Sequence, residues 1–202
     1  MHALPRSAHV PAYPVQRPPV DGLALGAPPS PPPAAPWRVH TRQSPCAQSA
    51  KLATVPRHVS RADALQHVFG YTCFNDMSVR DFQKRTPQWT IGKNFDATGG
   101  FGPVLVTADE LSPGATGLRI QSRLNGQVMQ DANTDDMIFN VAETIALLAD
   151  CLTLEPGDVI VMGTPAGVGQ ARTPPVWMQP GDVIEIEIER VGLLRNPIVA
   201  EA

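Results

Sequence analysis

The chain has 202 residues, a formal net charge of −3 and 22 prolines, a size that suits one domain or one domain with a tail. The charge is unevenly split: residues 1–60 hold six Lys+Arg against one acidic residue, +5, and the remainder holds ten against eighteen, −8. An acidic body with no basic stripe argues against a nucleic-acid partner, and no apolar run reaches the roughly 18 residues of a membrane span.

Thirteen of the 22 prolines fall in residues 1–60. Proline removes a backbone donor and fixes φ, so "PPVDGLALGAPPSPPPAAPW", Pro18 to Trp37, cannot make a packed element. Residues 1–56 are expected to be a Pro/Ala-rich, disordered tail; the abrupt change of pattern near Arg57 equally suits coding DNA translated out of frame. The N-terminus lacks the apolar stretch of a signal peptide. Cys46, Cys73 and Cys151 are odd in number and contain no C-x-x-C pair, so neither a zinc site nor a disulfide framework is indicated, and a reducing cytoplasm is expected.

Patterned sequence begins at Ser60. "SRAD" is a short capping-box match that predicts a brief helix through about His67, and Phe69 to Phe74 reads as an aromatic-rich strand. Leu118, Ile120, Ser122 and Leu124 alternate before Asn125-Gly126, a strong hairpin signal that predicts two antiparallel strands. From Met137 the apolar residues Met137, Val141, Ile145 and Leu148, with Ile138, Ala142 and Ala149 beside them, take helical spacing. A helix over about 136–150 follows, with Thr134 or Asp135 as its cap. "PGDVI" then occurs twice, at 156–160 and 180–184, each a Pro-Gly turn feeding a strand. In the second strand Ile184, Ile186 and Ile188 face one way and Glu185, Glu187 and Glu189 the other. The sum is an α+β, mainly β body with one principal helix and no crossover helices, which excludes a doubly wound sheet.

Four places carry candidate chemistry. Asp76 leaves the end of a buried strand, where a carboxylate needs a partner or a cation; it reads either as a strand-end cap or as one ligand of a hard cation such as Mg²⁺. Arg80 and Gln83 share one turn if "RDFQ" is helical and suit a substrate carboxylate, although a structural pair of Arg80 with Asp76 or Asp81 fits equally. Lys93 sits between apolar Ile91 and Phe95 in a glycine-rich loop, which suits catalysis or an ion pair. "MGTPAGVGQ", 162–170, brings backbone N–H groups near whatever binds there or is simply a tight turn; it matches no Walker or dinucleotide fingerprint.

Six motifs in order, "GYTCFNDMSVRDFQ", "QWTIGKNFD", "GPVLVTADE", "LNGQVMQDANTDDMIF", "LTLEPGDVIVMGTPAGVG" and "PGDVIEIEIERVGLLRNPI", closely resemble the catalytic domain of the fumarylacetoacetate hydrolase family over residues 57–202. That resemblance implies a mixed β-sandwich roll, usually a homodimer in the cytoplasm, acting on small 2-oxo acids. The family's reactions include C–C bond hydrolysis of acylpyruvates and fumarylpyruvate, oxaloacetate decarboxylation, and the hydratase and isomerase steps of aromatic catabolism. It implies Mg²⁺ or Mn²⁺ held by three carboxylates, Asp76 being the third, and acting as a Lewis acid toward an enolate. It also implies substrate-binding roles for Arg80, Gln83, Lys93 and Thr164, with Lys93 at the chemistry and Thr164 at the substrate carboxylate.

The departure from the family is as specific as the match. The other two metal ligands belong to a Glu-x-Glu motif upstream of "GYTCFND", and a His and a Glu still earlier serve as general base; here the first glutamate of the chain is Glu110, and His2, His9 and His40 lie among prolines. A site short of two carboxylates is expected to bind a divalent ion weakly. The fold is therefore expected to be incomplete on its N-terminal side, and the chain to be an impaired enzyme or a non-catalytic remnant or partner protein.

Overall fold

The computed structural model describes the backbone of residues 47–52 and all of residues 57–200; the rest of the expected tail, with His2, His9, His40 and Cys46, lies outside the described residues. Two four-stranded sheets make up the body. The first runs β3-β2-β1-β6, from β1 (Ala47–Leu52), β2 (Val68–Asn75), β3 (Gly100–Thr107) and β6 (Val159–Val161). The second runs β5-β4-β7-β8, from β4 (Arg119–Leu124), β5 (Gln127–Asn133), β7 (Val183–Ile188) and β8 (Gly192–Pro197). The class is α+β, mainly β. All the ladders among the described residues are antiparallel.

A boundary at residue 57 leaves out β1, which pairs with β2 on one side and β6 on the other. "AQSAKL" carries no β-branched or aromatic residue, so its strand character comes from its two neighbours rather than from its own propensity.

The hairpin forms as its sequence dictates. Asn125 and Gly126 take φ of 51° and 80°, the positive values of a tight primed turn. Asn125 also clasps β7 through Nδ2 to Asp182 Oδ1, 2.8 Å, and Val183 N to its Oδ1, 2.8 Å. Both Pro-Gly-Asp turns close alike: Glu155 N donates to Asp158 Oδ2 at 2.8 Å, and Gln179 N to Asp182 Oδ2 at 2.6 Å. "SRAD" likewise closes a turn, with Asp63 N donating to Ser60 Oγ at 3.2 Å, and the helix that follows is a 3-10 turn over Ala64–His67.

The main helix, α2 (Val141–Cys151), starts later than its periodicity predicts. Neither expected cap is available to it. Thr134 Oγ1 donates to Ala115 O at 2.7 Å and accepts from Leu118 N at 3.0 Å, while Asp135 Oδ1 accepts from Gly117 N at 2.7 Å. Asn133 instead caps a 3-10 turn over Thr134–Asp136, and Asn140 caps α2 by accepting from Glu143 N at 2.9 Å. Ile138, between the two, is 90% exposed rather than on the buried face.

Val141, Ile145 and Ala149 of α2 enter one core with Ile184, Ile186 and Ile188 of β7 and with Tyr71 and Cys73 of β2. The sheets also meet through polar atoms: Asn75 Nδ2 donates to Asn196 Oδ1 at 3.0 Å, and Cys73 Sγ lies 3.3 Å from Gly192 O.

Burial pushes the Cys73 thiol from 9.0 up to about 11 and the Tyr71 hydroxyl from 10.0 up to about 12. A thiol that keeps its proton longer when folded makes the unfolded chain the better acid. Its contribution is complete below pH 9.0 and is lost as pH rises toward about 11. Urea midpoints measured across that range are expected to fall with pH in the wild type and to fall less steeply in Cys73→Ala; parallel slopes would show that the thiol plays no part.

Candidate functional site

The candidate residues gather where β2 leaves the core. After Asn75 the chain turns through Asp76, Met77 and Ser78 into a single helical turn, α1 (Arg80–Gln83). The segment 91–93 folds back onto it as a 3-10 turn, tied by Val79 N donating to Gly92 O at 2.7 Å. Gly92 is required there: a Cβ would stand 2.6 Å from Gln83 N and 2.5 Å from Gln83 Cβ. Phe82 packs edge-on against Phe95 at 4.8 Å, and the Arg85 guanidinium covers the other ring contact, 3.6 Å from the Phe82 centroid.

This packing settles the partners of the charged groups. Lys93 Nζ donates to Asp76 Oδ2, with side-chain exposures of 30% and 19%. Arg80 Nη1 donates to the buried Gln83 Oε1 at 2.6 Å. Burial lowers the Arg80 pKa and the negative charge of Asp76 acts the other way; guanidinium stays charged throughout. Arg80 Nε is buried without a hydrogen-bond partner among the described residues. Asp76, Arg80, Gln83 and Lys93 thus form one cluster of two cations, one carboxylate and one amide.

Thr164 follows β6, on the sheet that also carries β2. It lines a cavity of about 640 Å³ together with Met137, Phe139, Met162 and Ala166, and none of Asp76, Arg80, Gln83 or Lys93 lines it. Beneath Thr164 lies a residue that the sequence reading passed over: Gln130, buried in β5, donates from Nε2 to Thr164 Oγ1 at 2.9 Å and to Pro165 O at 2.7 Å. A glutamine on the second strand of the expected hairpin was the available signal.

The donor set does not fit the metal that the resemblance implies. Among the described residues no three His, Cys, Asp or Glu side chains come together, and the Asp76 carboxylate already holds an ammonium. Glu110, the first glutamate, accepts from Thr107 Oγ1 at 3.0 Å in a different loop.

Lys93→Met is expected to leave a half-buried carboxylate unpaired and to lower stability by about 1–3 kcal/mol, more than an exposed pair is worth. Adding Asp76→Asn should restore part of the loss. Urea unfolding checks both, and an unchanged midpoint in Lys93→Met would contradict the pairing.

Comparison with known proteins accounts for the order of the motifs. The chain matches the family model "fumarylacetoacetate (FAA) hydrolase C-terminal" over residues 49–199. It is 45% identical over 140 residues to the oxaloacetate tautomerase YisK of Bacillus subtilis, covering 69% of this chain and 46% of that protein. It is 40% identical over 173 residues to the mitochondrial oxaloacetate tautomerase fahd2 of Xenopus laevis, 83% of this chain and 54% of the other. The chain therefore spans about half the length of these relatives. Among solved structures, a fumarylacetoacetate hydrolase from psychrophilic Exiguobacterium antarcticum superposes with TM-score 0.78 at 38% identity, over 83% of this chain and 62% of that one. A fumarylpyruvate hydrolase from Pseudomonas aeruginosa, in complex with Mn²⁺ and pyruvate, gives 0.73 at 29% identity, over 82% and 69%. The motifs, the fold and these similarities agree: the chain belongs to the fumarylacetoacetate hydrolase family.

Proposed function

We propose that this chain carries the substrate-binding half of a 2-oxo acid enzyme, by descent a divalent-metal-dependent hydrolase or lyase of acylpyruvates or fumarylpyruvate, with its activity impaired. The observation that carries the reading is the gathering of Lys93, Arg80 and Gln83 around Asp76, within a family match that reaches from residue 49 to residue 199. Two cations in a part-buried setting suit a dianionic or enolising substrate. Arg80, steadied by Gln83, offers a planar fork to a carboxylate, and Lys93 Nζ is a donor for the oxo oxygen as negative charge develops there. Thr164 is the further contact for a substrate carboxylate.

A second reading, keto–enol conversion of oxaloacetate, is favoured by the names of both sequence relatives. It asks less of the chain than hydrolysis, since a proton moves and no water need be activated. In either case the chain's own residues bind and orient the substrate and stabilise charge on oxygen. The divalent ion, expected as Mg²⁺ or Mn²⁺, is weakly held in this proposal. A homodimer and a cytoplasmic location belong to the same proposal.

Two assays with added Mn²⁺ test it: hydrolysis of an acylpyruvate, and loss of the ultraviolet absorbance of enol-oxaloacetate. With the impairment proposed, turnover is expected to lie about 10²–10⁴-fold below that of an intact relative, and to drop further in Lys93→Met. Turnover equal to that of the relative would contradict the impairment, and indifference to Lys93→Met would contradict the site.

A further inference from the structure

Residues 61–202 hold ten Lys+Arg against eighteen acidic residues, yet residues 80–85 hold three cations against one carboxylate. All four of these, Arg80, Asp81, Lys84 and Arg85, line a cavity of about 240 Å³ that they share with Gln170 and Trp177. Arg80 and Lys84 are four residues apart on a continuing turn, Lys84 N donating to Arg80 O at 3.2 Å, and like charges at that spacing repel. Among the described residues neither Lys84 nor Arg85 enters an ion pair. Asp81 has a contact of its own, and three cations beside that one carboxylate leave the wall positive in an acidic body.

The face of the Arg85 guanidinium is spent on Phe82, 3.6 Å from the ring centroid, and Phe82 is braced edge-on by Phe95. Guanidinium N–H groups lie in the plane of the group, so the stack steadies the fork without using its donors. Gln170 comes from the loop that follows β6, on a 3-10 turn over Gly169–Ala171 that Val176 N closes by donating to Gly169 O at 3.0 Å. Its amide adds a neutral donor to the wall. Arg80 is common to this cavity and to the cluster around Asp76, whose negative charge it feels. Its Nη1 is committed to Gln83, and its Nε is buried with no hydrogen-bond partner among the described residues. The cavity thus adjoins the Asp76–Lys93 pair by way of Arg80.

We propose that Lys84, Arg85 and Gln170 are specificity-determining residues that take the second, distal carboxylate of a dicarboxylic 2-oxo acid. This rests on the 2-oxo acid reading and adds which members of that class the chain prefers. A monocarboxylic 2-oxo acid has nothing to place between Lys84 and Arg85. A dicarboxylic one brings a charge that offsets the repulsion among the three cations, and it accepts from the Arg85 fork and the Gln170 amide together. An exposed cation alone is worth little toward an anion in water; the convergence of two cations and an amide on one cavity is what makes the discrimination measurable.

Titrations of the full chain with pyruvate and with 2-oxoglutarate, followed by NMR, test the assignment. The wild type is expected to prefer 2-oxoglutarate by about tenfold, and the double variant Lys84→Gln, Arg85→Gln to lose most of that preference. Lys84→Gln alone, which leaves the Phe82 stack intact, should lose about threefold. A bare charge effect acts at a distance, so the neutral change Gln170→Leu separates contact from field, and it too should cut the preference by about threefold. The side-chain amide signal of Gln170 should move with 2-oxoglutarate and hold still with pyruvate. Equal affinities in the wild type, a preference kept in Lys84→Gln and in the double variant, or a Gln170 signal indifferent to 2-oxoglutarate would overturn the proposal. Inorganic phosphate bound there as tightly as 2-oxoglutarate would show a site for free anions and overturn the link to substrate. A wild type that binds neither 2-oxo acid would overturn the 2-oxo acid reading and this proposal with it, whereas pyruvate bound without discrimination overturns the proposal alone.

Discussion

Pairing on both edges is what fixes β2, and the rest of the body is placed relative to it. With β1 on one side and β3 on the other, its backbone groups are spent, and its side chains from Gly70 to Cys73 are buried. A strand so enclosed cannot continue into charged sequence. It ends at Asn75, which is itself held by Asn196 across the sheets, and Asp76 emerges at the one point where the chain must leave the core. A carboxylate there needs a counter-charge, and the fold supplies it from residue 93, brought back by the Gly92 contact with α1.

Much of this was legible in the residues themselves. Asn125-Gly126 demanded a primed turn, the isoleucine row of β7 demanded one dry face, and each Pro-Gly-Asp phrase contained the carboxylate that closes its own turn. What escaped reading was set by groups distant in sequence. The start of α2 depends on Thr134 and Asp135 being spent on residues 115–118, which no local pattern announces. β1 has weak intrinsic preference and stands beside proline-rich sequence. The Ser122–Gln130 pairing requires a bulge; an unbroken two-residue hairpin would have set Ser122 opposite Met129.

The candidate site divides in the same way. Asp76, Arg80, Gln83 and Lys93 were identifiable as residues, and the Arg80–Gln83 contact follows from helical spacing alone. That Lys93, rather than Arg80, is the hydrogen-bonded partner of Asp76 came from the packing of 91–95 on α1. Thr164 follows β6 of the same sheet as β2, while the Gln130 that holds it belongs to β5 of the other sheet, and the cavity it lines is joined to the family's chemistry through resemblance.

The central claim is that Asp76 is committed to Lys93 and, among the described residues, has no companion carboxylates with which to hold a divalent ion. Electron paramagnetic resonance of Mn²⁺ titrated with the full chain tests it most directly, because the six-line signal of the aqueous ion fades on binding. The account predicts a signal that persists at micromolar protein and fades only at far higher concentration. Loss of the signal at micromolar protein, abolished by Asp76→Asn, would contradict it.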